Sequence, residues 1–196
     1  MIYLNIAVED DLSEMVIRKL IDSFYNKFHI QNVYSDNGFG YLKSNILGFN
    51  EASKFYPFLV LTDLDRYDCP VELIEDWITF EKHKNLIFRI SVREVEAWLL
   101  ADSKGLATFF RISETNIPLN PETEEDPKNT IIKLAGKSRA RRIREDITPI
   151  EGASIGPNYN GCLGEFVMNR WSVAAAAARS KSLKKAYDQL KKFQQI

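Results

Sequence analysis

Two hydrophobic periods alternate along the first 92 residues. IYLNIAV (2–8), QNVYS (31–35), FLVLT (58–62) and NLIFRISV (85–92) are short apolar-rich runs, the pattern of strands buried in a parallel sheet. Between them apolar residues recur at helical spacing. In LSEMVIRKLIDSFYNKF they are Leu12, Met15, Val16, Leu20, Phe24 and Phe28; YLKSNILGFNEASKF (41–55) reads as a helix interrupted by Gly48. VELIEDWITFEKH (71–83) follows Pro70 and carries Val71, Ile74, Trp77 and Ile78 on one side. The order βαβαβαβα predicts an α/β fold with a mostly parallel four-stranded sheet flanked by helices.

After residue 92 the pattern turns helical. REVEAWLLAD and SKGLATFF lead into a polar, proline-containing loop at about 113–127, then the helical PKNTIIKLAGKSR and a Gly/Pro/Asn loop, GASIGPNYNG. GCLGEFVMNRW and VAAAAARSKSLKKAYDQLKKFQQ complete the chain as helices, the alanine run suiting a helix by propensity. We therefore divide the sequence into an α/β core over 1–112 and a basic, mostly helical part over 113–196 that packs on it. Trp77, Trp98 and Trp171 lie in helical patterns and are expected in the core; His29 and His83 have no partners in the pattern.

Composition adds limits and one surprise. With 196 residues and 45% hydrophobic content the chain can bury a full core. It has no apolar run of about 18 residues, and its start lacks the basic segment of a secretory signal, so a cytoplasmic protein without a membrane partner is expected. Cys69 and Cys162 lie far apart with no CxxC or Cys/His grouping, which supports neither a disulfide framework nor a zinc site. The formal net charge of −1 conceals a sorting: residues 1–127 hold 12 Lys and Arg against 22 Asp and Glu, and residues 128–196 hold 14 against 5. Either the halves attract each other, or a metal-collecting site stands beside a phosphate-binding surface.

The acids fall where chemistry is placed in open α/β sheets, beyond the C-terminal ends of the strands. Glu9, Asp10 and Asp11 end the first strand, Asp63 and Asp65 the third, and Glu94 and Glu96 follow the fourth. Like charges about 4 Å apart repel by roughly 4 kcal/mol at an effective dielectric near 20, so this crowding calls for compensation. In an extended segment residues two apart project to the same side, so Asp63 and Asp65 are expected to share one ion. A set of hard oxygen donors suits Mg²⁺ or Mn²⁺. The competing reading is local: acids at a helix N-terminus favour its dipole, and a lone DxD after a strand is common.

The order of these acids resembles a Toprim domain, in which a glutamate follows the first strand and a DxD follows the third. Glu9 in IAVEDD matches the former; Asp63 and Asp65 in VLTDLDRYDCP match the latter, with Tyr67 and Asp68 in place of the usual small residues. ISVREVEAWLLAD resembles the glutamate-bearing helix of the overcoming-lysogenization-defect (OLD) nucleases, and more closely that of small bacterial Toprim-like proteins. IIKLAGKSRARRIREDI, GPNYNGCLGEFV and SKSLKKAYDQL extend that likeness over nearly the whole chain. The resemblance implies a Toprim-like (Rossmann-like) fold and metal-dependent phosphodiester hydrolysis of nucleic acid, DNA in the first instance. It further implies an ATPase partner and a place in phage defence. It selects Glu9, Asp63, Asp65 and Glu96 as metal and catalytic residues, with Glu94 and Asp10 as further metal candidates. Glu94 and Glu96 lie on opposite flanks of a helix whose buried stripe is Val95, Leu99 and Leu106; Glu94 is expected to pair with Arg93 or Arg89, and Asp102 to serve as a cap or a salt-bridge partner.

Lys133, Lys137, Arg139, Arg141, Arg142 and Arg144 place six cations in twelve residues, a density that suits phosphate oxygens and equally suits a solvated helix face. Lys133 and Lys137 are the candidates for a catalytic cation, and Arg66, beside the DxD, is a further nucleic-acid contact or a partner of Asp68. Tyr159 and Asn160 either touch substrate or serve the turn. Two other functions stay open: a receiver-like phosphoacceptor, with Asp63 accepting and Ser91 and Lys104 assisting, and an inactive Toprim module that only binds nucleic acid or a partner.

Overall fold

The computed structural model describes residues 1–35, 38–65 and 67–195. Four strands, β1 (Ile2–Ala7), β2 (Phe28–Tyr34), β3 (Phe58–Asp63) and β4 (Leu86–Ser91), form one sheet in the order β2-β1-β3-β4, with every pair parallel. Helices α1 (Asp11–Asp22), α2 (Gly38–Ala52) and α3 (Pro70–Trp77) cross between them, and α4 (Val95–Ala101) and α5 (Ser103–Phe110) follow β4. The remaining helices are α6 (Pro127–Gly136), α7 (Arg141–Ile147), α8 (Tyr159–Asn169), α9 (Val173–Ala177) and α10 (Lys181–Lys192). This is the α/β architecture with a helical C-terminal part that the hydrophobic pattern predicted.

Strand side chains alternate between two buried layers, as a period of two requires. Phe58, Val60, Leu86 and Phe88 face α2 and α3, where Leu42, Ile46, Phe49, Leu73 and Trp77 close an aromatic cluster. Leu4, Ile6, Leu59, Leu61 and Ile87 face the other way, onto Val16, Ile17 and Leu20 of α1. The second cluster continues without a break through Trp98, Ile131, Phe166, Leu183 and Phe193, so residues 113–196 share the core of the sheet. Trp77, Trp98 and Trp171 are all buried. Among the described residues no helix is long and apolar enough to cross a membrane.

Two boundaries differ from the pattern, for local reasons. The first helix ends at Asp22 rather than near residue 28: Ser23 caps it, Asn26 takes a left-handed φ of 54°, and Phe28 opens β2 instead. Asparagine tolerates that conformation better than most residues. The third helix stops at Trp77, where Ile78 leaves helical geometry, ahead of Thr79 and a polar run. Its buried side is Leu73 with Trp77, whereas Val71 and Ile74 are exposed. Leucine and tryptophan four residues apart share a helix face; of the expected stripe Trp77 reaches the core and Ile78 packs on it, and Leu73 takes the place of Val71 and Ile74.

Candidate metal centre at the strand ends

The register of β3 and β4 explains how carboxylates reach one place. Asp63 pairs with Ser91 and continues the row Leu59, Leu61, so its side chain shares the face that packs on α1 and the C-terminal helices. The Ser91 hydroxyl donates to Asp63 Oδ1. Across the sheet, Glu9 directly follows β1, and its Oε1 accepts from the Thr62 hydroxyl at 2.6 Å and from the Asp63 amide at 2.8 Å. Two donors on one oxygen pin Glu9 to the end of β3.

From the other side α4 delivers Glu96, which is buried. Its Oε1 accepts from the Tyr159 hydroxyl at 3.0 Å and lies 3.6 Å from Lys128 Nζ. Lys128 stands in the first turn of α6. Its Nζ also lies 3.8 Å from Glu94, and its backbone amide donates to Glu94 Oε2 at 2.9 Å. Glu94 thus pairs with Lys128 rather than with Arg93 or Arg89; the Arg89 Nε donates to the carbonyl of Phe88. Tyr159 reaches Glu96 because the preceding loop docks on α7: the Gly156 amide bonds the Ile147 carbonyl at 3.1 Å, and a Cβ on Gly156 would lie 2.4 Å from that backbone. Only glycine fits there, so the loop that reads as a turn also positions a tyrosine.

The acids act on one another. Burial pushes the Asp63 carboxyl well above the usual range, and the charges of Glu9, Glu96 and Asp10 push it further, with Ser91 opposing. Burial raises Glu9 too; Thr62 and Asp63 counter it, while Asp10 and Asp65 add to it. Glu96 is raised to about 7, by burial first, with Lys128 pulling it down and Glu94 pushing it up. Lys128 in turn is raised despite partial burial, by Glu96, then Glu94, Asp63 and Asp10. Carboxylates crowded and buried in this way resist ionisation, and added positive charge would favour their ionised forms.

The donor set fits Mg²⁺ or Mn²⁺ in chemistry and charge: oxygen ligands with neither cysteine nor histidine among them. It is not closed in geometry, since among the described residues no group of three or more His, Cys, Asp or Glu is gathered closely enough to hold an ion as it stands. Asp10 is engaged as the N-cap of α1, its Oδ1 accepting from the Ser13 amide at 2.8 Å. Asp65 does not share a side with Asp63. Its φ of 46° is left-handed, so the extended backbone that would align the two ends at Asp63, and Asp65 is exposed beside an open pocket with Phe39, Tyr67 and Glu72. It remains within electrostatic reach of Glu9.

The basic stretch behaves differently. Arg141 pairs with Glu145, Arg142 with Asp146 and Glu165, and Arg144 donates to the Ser138 carbonyl. Lys133, Lys137 and Arg139 are exposed, and among the described residues the cation paired with Glu94 and Glu96 is Lys128, which sequence reasoning passed over. Its one signal was position: it follows Pro127 at the start of a helix. Arg66 lies outside the described residues. Lys104 is exposed on α5, and Asp102 caps that helix as expected, accepting from the Gly105 amide at 3.0 Å.

No family model matches the chain, and no curated protein matches it. Among solved structures it is similar to the C-terminal region of the Burkholderia pseudomallei OLD protein, at 16% identity over 96% of each chain with a TM-score of 0.46.

Proposed function

We propose that this chain is a Mg²⁺- or Mn²⁺-dependent nuclease that hydrolyses phosphodiester bonds of nucleic acid at the ends of β1, β3 and β4. One observation carries the reading: at the sheet's C-terminal rim Asp63 feels the charges of both Glu9 and Glu96, carboxylates remote from it in sequence, and burial first of all raises each of the three above the usual carboxylate range. A fold stabilised by such a cluster alone would replace it, since uncompensated buried charge is costly. The Toprim resemblance of IAVEDD and VLTDLD agrees with it and is independent of the electrostatics.

In this reading Glu9, Asp63 and Glu96 hold the cation, and Asp65 and Glu94 stand at its edge. A bound divalent ion supplies a water of lowered pKa and offsets charge on the leaving oxygen. The protein's own part is positional. Thr62 and the Asp63 amide fix Glu9, Ser91 fixes Asp63, and Tyr159 fixes Glu96. Lys128, partly exposed and held by two glutamates, is the cation placed to meet a phosphate oxygen at the rim. No histidine is required as a base. Through the family resemblance alone the reading extends to an effector acting beside an ATPase partner in defence against phage.

The test is incubation of the purified protein with supercoiled plasmid, single-stranded DNA and RNA, with Mn²⁺, with Mg²⁺ and with EDTA. Cleavage that requires metal and is lost in Asp63→Asn supports the reading. Metal-dependent cleavage undiminished in that variant removes the assignment. Binding that survives EDTA with no turnover on any substrate favours an inactive module.

A further inference from the structure

We infer that a second site, a cleft between α5, α7 and α8, grips the phosphate backbone of the nucleic acid on one flank of the cut. It has a volume of about 550 Å³, and five of the described residues lining it are arginines, Arg111, Arg139, Arg141, Arg142 and Arg170, against one carboxylate, Glu165. The arginines come from three separated segments, so their meeting is a product of the fold and not of one charged run. Arg111 and Arg170 lie outside the basic stretch that the sequence singles out, while Arg144 of that stretch is turned to a backbone carbonyl and is not part of the lining.

The cleft holds guanidinium groups in reserve. Arg141 and Arg142 are held in place by Glu145, Asp146 and Glu165. Arg111, Arg139 and Arg170 are exposed, and their guanidinium groups make no hydrogen bond or ion pair among the described residues. Arg111 and Arg139 also border a second opening that adjoins the first. Arg111 occupies the C-cap of α5 at a left-handed φ of 53°, a position that glycine or asparagine fills at less strain. Guanidinium forks match phosphate oxygens in pairs, which makes a concave arginine cluster a better fit to phosphate esters than to lone carboxylates.

The inference rests on the nuclease reading only for which anion fills the cleft, and α8 supplies the geometry that relates the two sites. Tyr159 at its start touches Glu96, Glu165 in its middle pairs with Arg142, and Arg170 is its C-cap. The 11 residues Tyr159–Asn169 span about 16 Å of helix. Over that length one strand of a B-form duplex carries about five phosphates. The cleft should therefore add affinity for strands that extend about five nucleotides past the cut, and nothing for shorter ones.

Fluorescence anisotropy in EDTA, where no cutting occurs, separates this from catalysis. We compare the wild type with the triple variant Arg111→Ala, Arg139→Ala, Arg170→Ala on labelled DNA of 4 to 20 nucleotides at several salt concentrations, with AMP and inorganic phosphate as competitors. These arginines are exposed and unpaired, so the variant keeps the wild-type circular dichroism spectrum and melting temperature. The expected result is at least a tenfold loss on the 20-mer, little change on the 4-mer, and a log–log salt slope shallower by about 2, since each phosphate contact contributes roughly 0.7 on a single strand. Equal affinity and salt slope in the two proteins would overturn the inference, as would wild-type protein that binds no DNA. AMP binding that is lost in the triple variant while DNA binding is unchanged would assign the cleft to a free nucleotide instead. If the arginine dependence holds but no substrate is ever cut, the nuclease reading falls and the cleft stands.

Discussion

The acidic rim and the arginine cleft carry opposite charges and are built on opposite principles. At the rim Glu9, Asp63 and Glu96 are wholly or largely buried, each is fixed by neutral donors, and among the described residues Lys128 is the cation paired with Glu96. In the cleft the arginines are exposed, and Arg141 and Arg142 are matched to carboxylates one helical turn away or on a neighbouring helix. Buried charge of one sign costs the fold free energy, while exposed, paired charge costs little and contributes little. The difference teaches that density of charge along the chain is a poor guide to where charge is poised. In the twelve-residue basic run Arg141 and Arg142 are matched by carboxylates and Arg144 is turned to a carbonyl, while the acids of the rim are single residues from distant segments.

Substitutions sharpen that contrast, and the rim should respond most. Asp63→Asn should reduce metal-dependent cleavage at least about 10²-fold, and should raise the melting temperature in chelator because it removes a charge that Glu9 and Glu96 oppose. Lys128→Met should lower cleavage by roughly tenfold or more and destabilise the protein by about 1 kcal/mol, its ion pairs being partly exposed.

Stability against pH is the next test. Glu96 holds its proton more tightly folded than unfolded, so between pH 4.5 and about 7 the folded state binds more protons and stability falls as pH rises. Glu9 and Asp63 are shifted in the same sense. Thermal melts in EDTA should therefore show higher stability at pH 5 than at pH 8, with Mg²⁺ restoring it at pH 8. Glu96→Gln should flatten the profile and gain on the order of 3 kcal/mol at pH 8, several degrees in Tm. A flat wild-type profile would show that the rim is not under electrostatic load. At the small end, Arg141→Ala breaks an exposed pair with Glu145 and should change stability by less than about 0.5 kcal/mol in urea denaturation.

Much of the frame was legible because it depends on local periodicity. The four apolar runs became four parallel strands, and the acids read as strand-end residues stand after β1 (Glu9), at the end of β3 (Asp63) and on the helix that follows β4 (Glu96). What was not legible depends on tertiary placement or on single backbone angles. Val71 and Ile74 satisfy a helical stripe as well as Leu73 and Trp77 do, and only the sheet beneath decides between them. Asp63 and Asp65 align in an extended chain, but the left-handed turn at Asp65 separates them. Lys128 carries no motif; it meets Glu94 and Glu96 because α6 packs on α4, a contact between segments some 30 residues apart. Tyr159 sits in a sequence of turn formers, and its role appears once Gly156 has seated the loop against α7.

The central claim is that Glu9, Asp63 and Glu96 gather around one divalent cation, and calorimetric titration of the chain with Mn²⁺ addresses it without any assumption about substrate. The account requires saturable binding in the wild type that weakens at least tenfold in Asp63→Asn and in Glu9→Gln, with both variants folded. No detectable binding at millimolar Mn²⁺, or affinity unchanged by both substitutions, would contradict it.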